Sequence, residues 1–565
     1  MPPSGSYSEK PWLKSYGKGI PPHIDYERSC MPEFLERSAE RFADRTALIY
    51  SGQRVTYRQL EDMTNRFAGS LTDFGVCRGD AVAILMTNSI PCVVAYFAVF
   101  RIGAAAVPLN PLSSDAELVH QLNDSGSRIL VSSGLPVQRL VELQARTGVH
   151  DIIRVSPYEH LSLTEKVIIS LKGKRPKPKG RRVKAVYPVH GWRQCMQRHR
   201  PDPPGLSCRF DDVAIYQYTG GTTGVSKGVM LTQANLSTQV QALKTWFPSF
   251  EAGRETVLGA LPFFHVFGLT AVLNFGVYMG WTIILVPKPR PRLLLKAIRK
   301  YRPTFAPLVP TMYVGMMNHR HLDRTDMTCL RGCFSGSAPL PVEVIHDFET
   351  IAGTTIVEGF GMTETAPITH INPLSGRFRK MGSVGIPLPD TECRIVDMNE
   401  GVEDVPVGER GELIVRGPQV MKGYRGMPGE TAMALRDGWI YTGDIATMDQ
   451  DGFFYIIDRK KDLIISGGYN IYPHEIEGVL KHHSKVEEAC AVGFPDSKQG
   501  ELVKVFVVLK HDEMAVEEEL ISYCRDKLAR YKWPRSVELR DELPKSATGE
   551  ILRKELRMEE LDRTW

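Results

Sequence analysis

Short apolar runs of strand length alternate along most of this chain with longer stretches whose apolar residues recur at helical spacing. Residues 81–86, 213–218 and 282–286 are of the first kind; 57–74 and 292–299 are of the second. Strands must cover their apolar faces, and interleaved helices are the usual cover, so the alternation predicts α/β layers with mixed or parallel sheets. No repeat of solenoid or propeller length interrupts it. At 565 residues the chain exceeds what one core usually supports. The charged string DRKKD at 458–462 marks a change of composition, and we place a boundary there. Residues 1–460 are expected to form a large N-terminal α/β domain with several sheets, and 461–565 a small C-terminal α+β domain. The small domain should hold helices over 473–482 and 516–528 and strands over 489–493 and 503–509.

A composition of 42% hydrophobic and 24% charged residues, with a formal net charge of +5, supplies large cores and lacks the charge excess of a nucleic-acid binder. The uncharged stretch 269–286 nearly has the length of a membrane span, but Asn274, Gly276 and Gly280 interrupt it. A buried helix followed by a strand over 281–286 fits better. Ten cysteines without a CxxC or Cys/His cluster predict reduced, mostly buried thiols. The start of the chain lacks the apolar core of a secretory signal and its last residues match no lipidation signal, so a cytoplasmic protein is expected. The segment KGKRPKPKGRRVK at 172–184 carries eight basic residues and no acid. It is a surface insertion with three readings: a solvated loop, a patch that touches anionic lipid at the inner membrane face or an acidic partner, and a nuclear-localisation tract.

The segment AIYQYTGGTTGVSKGVMLT, residues 214–232, concentrates the chemistry. A strand enters a loop rich in glycine, threonine and serine, and a second strand leaves it. Gly220, Gly221 and Gly224 let backbone amides approach phosphate oxygens, Thr219, Thr222, Thr223 and Ser226 add hydroxyl donors, and Lys227 adds charge. No Walker A spacing fits, because Lys227 precedes Gly228 and a strand, not a helix, follows. An ordinary Gly-rich turn stays open from this loop alone.

The loop YTGGTTGVSKG resembles the signature of the adenylate-forming superfamily of acyl-CoA ligases, luciferases and peptide-synthetase adenylation domains. LPFFH at 261–265, GSAPL at 336–340, EGFGMTE at 358–364, YTGD, DRKKD, SGGYNIYPHEIE and LPKSATGE match it further, in order. The resemblance implies the adenylate-forming enzyme fold, with a small domain that moves about a hinge at Lys461. It implies ATP, Mg2+ and coenzyme A as cofactor and co-substrates. Gly336, Ser337 and Ala338 lie beside the adenine and acyl pocket in the family, and Glu358, Gly359, Phe360, Gly361, Met362 and Thr363 extend that contact, with Phe360 stacking on adenine and Thr363 reaching phosphate. Glu364 helps hold Mg2+, with Thr223 as second ligand; a carboxylate is the hard oxygen donor that Mg2+ prefers. Read alone, a Thr-Glu pair is more often a helix start. Asp444, Ile456 and Arg459 match ribose and nucleotide contacts, although a turn aspartate and a solvated arginine are the ordinary readings of those types. His265 orients the acyl end, against the plain reading of a satisfied buried histidine. Gly467, Gly468 and Tyr469 match the loop nearest the pantetheine channel.

The chemistry the resemblance implies has a physical reason. A carboxylate resists nucleophiles because it is already negative and would have to expel oxide. Attack of the carboxylate on the α-phosphorus of ATP releases pyrophosphate and leaves a mixed anhydride from which AMP departs readily when the CoA thiol attacks.

The sequence departs from the family at one place: Glu550 stands where a lysine usually reaches the bound carboxylate and α-phosphate. Three explanations stay open: a substitution introduced to trap a state, compensation by Lys545, Arg553 or Lys554, or an impaired first half-reaction. Among the branches, bacterial long-chain fatty acid CoA ligases look most similar, and a dimer is common there. An aryl or alicyclic acid ligase and a non-catalytic acyl-adenylate-binding protein are the alternatives.

Overall fold

The computed structural model describes residues 7–156, 159, 188–198, 205–219, 226–374, 379–466, 469–496, 499–546 and 549–564. The basic segment 172–184 and six candidate nucleotide contacts, Gly220, Gly221, Thr222, Thr223, Gly224 and Gly467, lie outside them, as does Gly468. Two compact units divide the chain. One gathers Leu13–Glu392 and Val415–Ile440; the other gathers Met1–Trp12, Cys393–Ile414 and Tyr441–Trp565.

The first unit is built on two sheets. In the eight-stranded one the order is Gly423–Tyr424, Lys227–Thr232, Val213–Thr219, Ala105–Pro108, Ala81–Leu85, Ile129–Ser133, Asp151–Val155, Val189–Gly191. All its pairings are parallel except the two that involve Lys227–Thr232. The nine-stranded sheet includes Thr256–Gly259, Thr282–Leu285, Phe305–Leu308, Gly332–Ser335 and Ile356–Gly361. The helix Ile90–Arg101, apolar all round, is buried along its whole length, as a helix between layers must be. From it Tyr96 donates to the Phe263 carbonyl at 2.8 Å, and the neighbouring Asn88 amide donates to Leu261 at 2.7 Å.

The uncharged stretch after His265 is helical from Val266 to Tyr278, buried through Val277, with a π-turn over Leu269–Asn274, and the strand Thr282–Leu285 follows. Helix then strand is what its Gly and Asn interruptions predicted. Among the described residues no helix is long and apolar enough to cross a membrane. None of the ten cysteines is in a disulfide, and seven of them are buried.

In the second unit, residues 393–396, 411–414, 441–448 and 454–459 belong to neighbouring strands, in that order, of one sheet. A further sheet pairs Val486–Asp496 with Gly500–Leu509, flanked by Ile464–Ser466, Tyr469–Ile471 and Ser536–Arg540. Helices Pro473–Lys481 and Glu517–Arg525 cover it, closing a core of Ile464, Ile476, Leu480, Val505, Val507 and Leu520.

Candidate active site

The strands around the Gly/Thr loop form an antiparallel pair in which Thr219 stands opposite Lys227. Lys227–Thr232 runs directly into the helix Gln233–Trp246, whose N-terminus Thr232 caps by accepting the Asn235 N–H at 3.2 Å. Both ends of the loop are tied to the helix Asp115–Ser125. Tyr218 donates to Asp124, and the ring of His120 bonds the Ser226 carbonyl at 2.9 Å. One strand position earlier, Gln217 donates to the Phe264 carbonyl at 2.9 Å, which ties the LPFFH segment to the same edge.

His265 begins the buried helix and accepts the Phe267 N–H on Nδ1 at 3.3 Å. It keeps an accessible edge but is densely surrounded, and burial lowers its pKa to about 4, so the imidazole is neutral at physiological pH. Close behind it lies the GSAPL loop. A side-chain carbon added to Gly336 would stand 3.2 Å from the Phe267 ring and 3.6 Å from the Gly359 carbonyl. Ser337 in that loop holds a left-handed φ of 74°, a conformation non-glycine residues adopt at a cost and mostly at functional turns. Glu358 joins the segments, accepting the Leu340 N–H at 3.3 Å; burial raises its pKa against the pull of backbone donors at Leu340 and Gly382 and of Arg379. Gly336, Ser337 and Ala338 follow the strand Gly332–Ser335, which pairs in parallel with Ile356–Gly361, the strand that carries Glu358, Gly359, Phe360 and Gly361; Phe360 packs edge-on to His370 at 5.9 Å.

Met362 leads into a 3-10 turn, Thr363–Thr365, that presents Glu364. Its side chain is buried, its carbonyl accepts the Met421 N–H at 2.8 Å, and its Oε1 accepts the Tyr424 hydroxyl at 2.8 Å. The Lys227 ammonium lies 5.1 Å from the centroid of the same tyrosine ring and pairs with Glu430. Two residues that the sequence put at phosphate and metal, Lys227 and Glu364, thus share one corner through Tyr424. Nothing in the sequence distinguished Tyr424 or Glu430, which sit in a Gly/Pro-rich stretch; only the pairing of Gly423–Tyr424 with Lys227–Thr232 reveals them.

In the second unit Asp444 and Arg459 are partners across an antiparallel pair, with Arg459 Nε 2.9 Å from Asp444 Oδ1 and the aspartate side chain nearly wholly buried. Ile456 lies on the same strand opposite Ala446. Lys461 follows in the 3-10 turn Lys460–Asp462, where burial and then Arg459 lower its pKa, offset by Asp462 and Asp444. Glu550 keeps an exposed face, yet the atoms crowded about its carboxyl raise its pKa, Arg459 and Lys461 lowering it and Asp444 adding to the rise. Two of the cations considered as its compensators are engaged by other carboxylates, Lys545 by Glu488 at 2.6 Å and Arg553 by Glu477. Tyr469 is exposed and stacks on Tyr531, ring centroids 4.6 Å apart.

Residues 35–425 match the model of the AMP-binding enzyme family and 475–550 that of the AMP-binding enzyme C-terminal domain. The chain belongs to the AMP-binding enzymes. It is 40% identical over 562 residues to a long-chain-fatty-acid–CoA ligase of Bacillus subtilis, covering 98% of this chain and 99% of that one. A feruloyl-CoA synthase of Amycolatopsis is 35% identical over 92% of this chain and 97% of its own length. Among solved structures, ATP-bound MatB from Rhodopseudomonas palustris superposes with a TM-score of 0.82 at 28% identity, covering 94% of this chain and 100% of that one. This AMP-binding enzyme therefore has the mixed α/β adenylate-forming fold that the ordered motifs implied.

The donor set suits the ion such an enzyme uses. Among the described residues no three His, Cys, Asp or Glu side chains converge into a metal cage. Mg2+ is characteristically held by one or two carboxylates, with phosphate oxygens and water completing the octahedron, and the buried Glu364 carboxylate is a donor of the kind that would suit it.

Proposed function

We propose that this AMP-binding enzyme activates a medium- or long-chain fatty acid as its acyl-adenylate and transfers the acyl group to the CoA thiol. The observation that carries the reading is the corner at Tyr424, which brings a carboxylate and an ammonium within reach of one ring. Triphosphate chemistry needs that pair, a cation for the phosphate oxygens and an oxygen ligand for the metal. Lys227 and the Thr219 strand end hold the phosphates, Glu364 and Thr223 the metal, and Asp444 and Arg459 the ribose. When bound, Mg2+ neutralises charge on the triphosphate. Phe360 stacks on the adenine, and neutral His265 offers the acid a hydrogen bond rather than a charge. Lys461 is the pivot about which residues after 460 change from the adenylating to the thioester-forming arrangement, bringing Gly467, Gly468 and Tyr469 to CoA.

The fatty-acid assignment is supported by identity to the Bacillus subtilis ligase along both chains, and the feruloyl-CoA synthase relative keeps an aryl acid as the second reading. A thioester assay over saturated acids of increasing length and over substituted cinnamates separates them. Turnover rising with chain length is expected; a maximum at the cinnamates would overturn the fatty-acid reading. Contact of segment 172–184 with an anionic membrane surface and a homodimeric state complete the proposal. Co-sedimentation with anionic against neutral vesicles checks the first, and sedimentation velocity the second.

A further inference from the structure

The stretch 421–430 holds no residue that the motifs singled out, yet it grips both charged groups of the phosphate corner. Met421 bonds the Glu364 backbone, Tyr424 bonds its carboxylate at 2.8 Å, the Tyr424 ring faces Lys227 at 5.1 Å, and Glu430 pairs with Lys227. Tyr424 is itself fixed. It stands in register with Val229, its N–H donates to Thr431 Oγ1 at 2.9 Å, and it is 8% exposed.

A carboxylate offers lone pairs on two oxygens, and a donor fixed on one of them leaves the other to face a ligand. We propose that Tyr424 is a positioning residue that holds Glu364 by Oε1 and so presents Oε2, in one orientation, to the Mg2+ of the nucleotide. The proposal rests on the reading of Glu364 as a metal ligand. It goes further in assigning the orientation of that ligand to a residue on a different strand. Glutamate has three rotatable bonds, and a second-sphere hydrogen bond that removes this freedom is a common determinant of metal affinity.

Calorimetry of ATP binding, with excess Mg2+ and with EDTA, reads the effect without turnover. Tyr424→Phe keeps the ring over Lys227 and removes only the hydroxyl. It is expected to lose about tenfold of the Mg2+-dependent gain in affinity and to bind metal-free ATP as the parent does. In the Glu364→Gln background the same change should cost nothing more. An undiminished Mg2+ gain in Tyr424→Phe, or equal weakening with and without metal, would overturn the proposal. A full Mg2+ gain in Glu364→Gln would instead overturn the metal-ligand reading beneath it, and the proposal with it. Should Tyr424→Phe not fold, Glu364→Asp draws the carboxylate out of the tyrosine's reach while keeping its charge. Loss of the gain there supports the proposal and its retention overturns it.

Discussion

Arg553 begins the last helix of the chain, yet its guanidinium points inward: it pairs with Glu477, donates to the Ala491 carbonyl and lies 3.5 Å from Asp462, next to the proposed pivot. The Glu477 side chain is 4% exposed. Burial alone would raise its pKa, but Arg553 and His474 outweigh it and bring the carboxyl from 4.5 down to about 2. A depression of this size corresponds to about 3 kcal/mol of stability at neutral pH. Because the folded pKa is the lower one, that contribution is complete above about pH 5 and is lost as pH falls from 4.5 towards 2. Arg553→Met fills the space and strands the carboxylate. Breaking one side of a buried pair costs roughly 3–5 kcal/mol, and the remaining bonds to Glu477, from the Ala491 N–H at 2.8 Å and from His474 at 3.0 Å, favour the lower end. With a urea slope of about 1–3 kcal/mol/M, the midpoint should drop by roughly 1–3 M. In the variant, burial raises the folded pKa above the unfolded one, so lowering the pH from 7 to 5 should return part of the loss. Adding Glu477→Gln should return part of it at every pH. Urea unfolding at pH 5 and 7, with hydrogen exchange of Pro473–Lys481 as the local reporter, reads both effects. An unchanged midpoint, or a deficit equal at the two pH values, would refute the reasoning.

Glu550→Lys should raise ATP–pyrophosphate exchange by roughly a thousandfold, since reversing one charge pair at an effective dielectric near 20, half screened by solvent, is worth about 4 kcal/mol. Thioester formation from supplied acyl-adenylate should change little, and equal exchange rates in the two proteins would count against the assigned position of this residue. His265, held near 4, should contribute no inflection to adenylation kcat/KM between pH 6 and 8; an inflection near 6.5 that disappears in His265→Asn would show a charged imidazole. At the same site, stability should decline as the pH is lowered from 6.5 towards 4, because the unfolded chain binds that proton first.

Most of the fold was legible because its elements are locally consistent. The strand expected over 213–218 is Val213–Thr219, the helix over 57–74 is Tyr57–Asp73, and the helix over 473–482 is Pro473–Lys481. In each, apolar period and end signals agree. The second unit also draws in 393–414 and 441–460, which composition could not reveal, because a strand's sheet is chosen by partners far along the chain. The first unit's candidate residues were named from type and order alone, whereas the approach of a described one, Gly336 against Phe267, depends on a long-range contact that neither reveals. Tyr424 and Glu430 were not legible. A tyrosine beside a glycine has many uses, and its role appears only where Gly423–Tyr424 joins the sheet edge next to Lys227.

The pairing of Thr219 with Lys227 constrains how this chain can vary in length. Side chains on a strand alternate between faces, so losing one residue between Lys227 and Val229 would turn the ammonium to the opposite side of the sheet. Within the paired residues a single insertion or deletion reverses the face of every side chain on one side of it, which makes this stretch a ruler whose marks cannot be moved singly.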